Sequence, residues 1–236
     1  MSTPALEVID LNAWYDQSHV VRGVGLQVPQ GQVAALLGRY GAGCSSILRA
    51  LMGLIKQRSG SVRIHGTESI HLPMEFVGPL GIGYCRGQKN LLADLSCEEN
   101  LLLPATTENT LGGSMSLAEI YEVFPRLHEH RYLSCSQLSG GEQKMLAIAR
   151  LLRTGVNIIL LDDLSDGVAP AIFHDLQRMV RQLKAKRYAI LLVDENPQFA
   201  HALADQFYLI DSGQVIDQFP SEELAAKQEA LNALSN

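Results

Sequence analysis

Four short runs that are apolar on nearly every position, at 32–37 (QVAALL), 158–161 (IILL), 189–193 (AILLV) and 207–210 (FYLI), constrain this chain more than any other feature. A strand exposed on one side alternates apolar and polar residues; a strand without polar positions must be covered on both faces. The first run leads into a helical pattern from about Ser45 to Leu54, and an amphipathic helix near 171–186 separates the second run from the third. Strands alternating with helices predict an α/β fold with a mainly parallel sheet covered on both faces. Residues 61–64 read as a further strand, and 98–153 as mostly helical, broken at 107–114 (TENTLGGS) and near 134–136. That stretch is expected to form an inserted helical subdomain. The last sixteen residues read as a capped surface helix.

The composition agrees with a folded chain: 47% of residues are hydrophobic and 19% charged. A net charge of -6 without any run of lysine and arginine argues against nucleic acid as a partner. Cys44, Cys85, Cys97 and Cys135 form no C-x-x-C pair, which points away from a zinc knuckle or a disulfide framework and toward a reducing cytoplasm. No stretch approaches the roughly 18 apolar residues of a spanning helix, so a membrane role is expected to be peripheral. The seven histidines are scattered and read as surface or core fillers.

Between the first apolar run and its helix lies GRYGAGCSS, residues 38–46. A glycine-rich turn from strand to helix suits phosphate: successive backbone N–H groups and the helix N-terminus converge on an anion, and the glycines let the backbone come close. Where such a loop carries lysine, this one carries Cys44. At a helix N-terminus that thiol is expected to ionise readily and to alkylate fastest of the four.

The strongest motif is LSGGEQ at 138–143, followed by KMLAIARLL. With it the chain resembles the ATP-binding subunits of ABC transporters, from Leu6 to about Gly213. The resemblance implies a P-loop NTPase core with a mainly parallel sheet, an antiparallel β edge and a helical subdomain at about 98–153, all within one ATP-binding domain over 1–236. It implies ATP and Mg2+ as cofactors. Gly38, Gly41, Gly43, Cys44, Ser45 and Ser46 would cradle the phosphates, Tyr15 would stack on adenine, and Ser45 with Asp162 would serve Mg2+. Asp163 and Glu195 fall at catalytic positions. Gln88 falls near the polar residue that senses the γ-phosphate. Ser139, Gly140, Gly141 and Glu142 would serve a nucleotide held by another subunit. Within the family the likeness is to the smaller ATP-binding subunit of branched-chain amino-acid importers and their urea-importer relatives, carried by GLIKQRSGSVRIHG, GIGY at 81–84, EENLLL at 98–103, VFPRL at 123–127 and DGVAP. The partners implied are a second ATP-binding subunit, membrane permeases on their cytoplasmic face and, indirectly, a solute-binding protein.

The departures from the family pattern gather where chemistry happens. A lysine charge about 4 Å from a phosphate is worth about 4 kcal/mol at an effective dielectric near 20, and Cys44 forgoes it. Asp163 stands where the family has a water-orienting glutamate, which shortens the reach by about 1.5 Å; a misplacement of about 1 Å can cost on the order of a hundredfold in rate. Glu195 stands where many relatives have a switch histidine, and YCRGQKN at 84–90 replaces a proline-glutamate-glycine run. These changes predict a weak site of the chain's own beside an intact signature for its partner's. Two other classes stay open: a non-catalytic regulatory or scaffold protein with the same fold, and a soluble ABC ATPase, for which the chain lacks a coiled-coil insertion or a second module.

Overall fold

The computed structural model describes residues 3–87, 91–104, 113–194 and 196–227. Its elements run β1 (Leu6–Tyr15), β2 (Ser18–Val28), β3 (Val33–Leu37), α1 (Cys44–Leu51), β4 (Gln57–Ile64), β5 (Thr67–Glu68), α2 (Met74–Val77), β6 (Ile82–Arg86), α3 (Cys97–Leu102), α4 (Leu117–Val123), α5 (Pro125–Glu129), α6 (Gly140–Arg153), β7 (Ile158–Asp162), α7 (Pro170–Ala185), β8 (Ala189–Val193), α8 (Pro197–His201), β9 (Gln206–Asp211) and β10 (Gln214–Pro220).

All four apolar runs become strands of one six-stranded sheet, ordered β10-β9-β3-β8-β7-β6. Its members from β9 to β6 are parallel, and β10 closes the far edge as an antiparallel hairpin with β9. Alternate residues of each run enter different cores, as the pleat requires. Ala35, Leu161 and Leu192 face the helices α3 to α8. Leu36, Leu160 and Leu191 face α1 and a second, four-stranded antiparallel sheet ordered β2-β1-β4-β5. The two sheets are tied where Gln27 N–H donates to the Tyr208 hydroxyl at 3.0 Å.

The antiparallel part is therefore a whole sheet as well as an edge. The strand β6 was not among the apolar runs because it lies at the sheet's outer edge, where Tyr84 and Arg86 are only half-buried. The expected C-terminal helix begins instead as a 3₁₀ turn at Ser221–Glu223 whose preceding residue, Pro220, offers no capping side chain; 228–236 lie outside the described residues. The helices α3 to α6 lie between β6 and β7 in the chain, and three of them open with serine capping boxes at Ser96, Ser116 and Ser139.

Candidate nucleotide site

The cleft at the carboxyl ends of the parallel strands is lined by residues 38–46 and by Arg49, Arg86, Asp163, Val193 and Asp194. Such ends are where open α/β sheets bind ligands, because loops there diverge and helix N-termini converge. Gly43 takes φ 107° as the cap of α1, a conformation that side chains strain against, and it has no side chain to compete for the first-turn N–H groups. Those N–H groups are the fit for phosphate.

Ser45 Oγ donates to Asp162 Oδ1 at 2.8 Å, and the Tyr84 hydroxyl donates to Asp162 Oδ2 at 2.6 Å. Asp162 is 1% exposed, so the two bonds hold a buried carboxylate in place. A hydroxyl and a carboxylate brought together at the loop's end are the donor set that a hard cation beside phosphate takes, so Ser45 and Asp162 fit Mg2+. Burial and the bond to Asp162 push the Tyr84 phenol above its ordinary range, which keeps it a neutral donor.

Arg86 was not among the residues expected in the site. It ends β6 directly opposite Asp162 in the parallel ladder, with Nε 3.6 Å from Asp162 Oδ2 and a terminal nitrogen 3.7 Å from Asp163 Oδ2. Asp163 itself has φ 56°, a left-handed conformation that aspartate tolerates better than most side chains. Ser46 lines the same cleft; Tyr15, at the end of β1, is 40% exposed and does not line it, but its hydroxyl accepts from Arg49, which does, at 3.4 Å. Asp194 accepts from Ser165 N–H at 2.8 Å and from Asn196 N–H at 2.9 Å, pinning the segments after β7 and β8 to each other. Gln88 and Glu195 lie outside the described residues.

The expectation for Cys44 is corrected. Its side chain is buried, and burial pushes the thiol up to about 12, with Asp162 adding to the rise and a backbone hydrogen bond opposing it. The helix terminus favours thiolate, but loss of water and a neighbouring carboxylate outweigh it. Cys44 is a neutral thiol, nearly buried in the floor of the cleft.

None of Ser139, Gly140, Gly141 and Glu142 lines this cleft. Ser139 and Gly140 are exposed at the start of α6, while Gly141 and Glu142 turn inward. The Ser139 hydroxyl donates to Glu142 Oε2 at 2.6 Å and accepts from Glu142 N–H at 3.3 Å. Burial works against the Glu142 carboxylate, but its bonds from Ser139 and the imidazole of His130, 2.8 Å from Oε1, hold it below the usual range. A Cβ on Gly141 would stand 2.2 Å from Ile172 Cγ2 on α7, so glycine here serves the close approach of two helices. Lys144, also missed in the sequence, is buried with Nζ donating to the carbonyls of Asp163 at 3.1 Å, Leu164 at 3.2 Å and Asp166. It fastens the signature helix to the loop after β7.

A family model described as ABC transporter matches residues 21–165. The chain is 31% identical over 206 residues to the high-affinity branched-chain amino acid transport ATP-binding protein BraG of Pseudomonas aeruginosa, covering 87% of this chain and 88% of that protein. It is 33% identical to the probable branched-chain amino acid transport ATP-binding protein LivF of Archaeoglobus fulgidus, over 93% of each. It is 29% identical to the lipopolysaccharide export system ATP-binding protein LptB of Escherichia coli, over 86% of this chain and 85% of LptB. A nucleotide-free ATP-binding cassette from an ABC transporter superposes with a TM-score of 0.85 over 98% of this chain and 97% of its own, at 22% identity, which shows the fold. With its phosphate loop, its aspartate pair and its capped signature helix, the chain belongs to the ABC transporter family as an ATP-binding subunit.

Proposed function

We propose that this chain is an ATP-binding subunit of an importer for branched-chain amino acids or related small solutes, paired with a second, catalytically competent ATP-binding subunit on the cytoplasmic face of membrane permeases. A solute-binding protein would deliver the cargo. The similarity to BraG and LivF supports the solute class. No helix among the described residues is long and apolar enough to cross a membrane, in keeping with a peripheral seat.

The observation that carries the division of labour is Cys44, a neutral buried thiol in the lysine position, set against an exposed Ser139 that caps the signature helix. In the chain's own cleft the first turn of α1 would hold phosphate, and Ser45 with Asp162 would hold Mg2+. Asp163, short by a methylene and faced by Arg86, is poorly placed to orient a water. Ser139 and Gly140, outside that cleft, are presented to a partner's nucleotide. Bound ATP supplies the phosphate charge around which such a pair closes.

The test is ATP turnover by the reconstituted heteromer with permeases present. Ser139→Arg is expected to abolish it, and Cys44→Ala to leave it nearly unchanged, because a loop without lysine has little catalytic contribution to lose. Equal silencing by the two variants would overturn the division of labour.

A further inference from the structure

The cleft lacks a loop lysine, yet it does not lack a cation. We infer that Arg86 is the phosphate-binding cation of this site, relocated from the loop to the end of the neighbouring strand β6. This rests on the reading of the cleft as a nucleotide site and adds a residue to it: the terminal phosphates of a nucleoside triphosphate are its ligand.

Asp162 is the common neighbour that makes the exchange possible. Its Oδ1 accepts from Ser45, the residue after Cys44, at 2.8 Å, and its Oδ2 meets Arg86 at 3.6 Å. The charge that a lysine at position 44 would bring beside Asp162 is brought by Arg86. Both contacts of Arg86, at 3.6 and 3.7 Å, are longer than hydrogen bonds, so the guanidinium is drawn to the two aspartates by charge and not locked to them by directed donors. It is 35% exposed and lines the same cleft as the loop.

The other two arginines of the cleft are placed differently. Arg49 donates to the Tyr15 hydroxyl, and Arg39 is exposed on the loop itself. Arg86 stands against the acidic wall, within 4 Å of both Asp162 and Asp163. Two adjacent carboxylates repel an incoming polyphosphate, and one guanidinium beside them in the same cleft offsets that repulsion while offering a planar fork that matches phosphate oxygens. Because the same guanidinium faces Asp163, a nucleotide is held here without freeing the residue that would orient a water. The site retains binding and forgoes turnover.

The experiment is a fluorescence titration of the purified full chain with the N-methylanthraniloyl derivative of ATP in the presence of Mg2+. Arg86→Ala is expected to weaken binding about tenfold or more, which corresponds to about 1.4 kcal/mol. Arg86→Lys, which keeps the charge and loses the fork, is expected to fall between. Adding Cys44→Lys to Arg86→Ala is expected to restore the affinity, since one cation replaces the other. Adding Asp163→Asn to Arg86→Ala is expected not to restore it. Wild-type affinity in Arg86→Ala would overturn the inference, and so would its recovery in the Arg86→Ala/Asp163→Asn variant, which would mean that Arg86 only masks Asp163. If Arg86→Ala lowers the melting midpoint, Arg86→Gln takes its place with the same expected loss. Failure of both the wild type and Cys44→Lys to bind the probe would instead remove the nucleotide reading of the cleft, and the inference with it.

Discussion

Gly141 on α6 and Ile172 on α7 approach so closely that a β-carbon on the glycine would lie 2.2 Å from Ile172 Cγ2. The second glycine of the signature is thus fixed by packing between two helices. Gly141→Ala should destabilise the chain by about 1–3 kcal/mol, the usual cost of overpacking a tight contact. Ile172→Ala in the same chain should recover much of that loss by opening the space, and chemical denaturation of the single and double variants measures the coupling.

Lys144 should behave as a structural cation. Its ammonium serves three carbonyls of the loop after β7, and Lys144→Met would keep the buried stem while leaving those carbonyls without their donor. The expected cost is about 2–3 kcal/mol, seen as a lower urea midpoint with an unchanged slope. A midpoint within error of the wild type would mean that water replaces the ammonium.

The cysteines should be slow to react. All four are buried, and burial pushes Cys44, Cys85 and Cys97 up to about 12, so at neutral pH almost no thiolate is present in the folded chain. Brief iodoacetamide treatment followed by mass spectrometry should find little labelling in the native protein and full labelling in denaturant. Rapid native alkylation at Cys44 would contradict its burial.

Stability should fall in acid, in part through the signature helix. The folded pKa of Glu142 lies below the ordinary 4.5, so the folded state binds fewer protons than the unfolded one as the pH drops past that value. Its contribution is complete above 4.5 and is lost as the pH falls through the lower, folded value. Burial works against the Glu68 carboxylate too, but bonds from Val62 N–H at 2.9 Å and from the N–H groups of Ser69 and Ile70 at 3.1 Å hold it below its ordinary range, and its contribution has the same sign. Glu142→Gln should be less stable than the wild type at neutral pH, with the gap narrowing in acid; a gap independent of pH would place the effect in packing.

The parallel sheet and the loop are legible in the residues alone. Five-residue strands such as β7 and β8, buried at every position, leave no exposed face for polar residues, so their apolar runs announce a parallel sheet covered on both sides. The phosphate loop and the signature helix were legible for a related reason. Each is local: a glycine at 43 turns the chain into α1, and Ser139 with Glu142 closes a capping box within one turn.

Contacts that cross between elements become visible only in the folded chain. Nothing near Arg86 in the chain signals that β6 will pair in register with β7 and set it opposite Asp162. No local pattern shows that Lys144 will reach the loop after β7, or that Gly141 will meet Ile172. The chemistry of Cys44 differs from its local expectation for the same reason. Its neighbours in sequence are a helix N-terminus that favours thiolate, but its neighbours in space are a packed core and the Asp162 carboxylate. Loss of water is a property of the assembled fold, and it outweighs the dipole of one short helix.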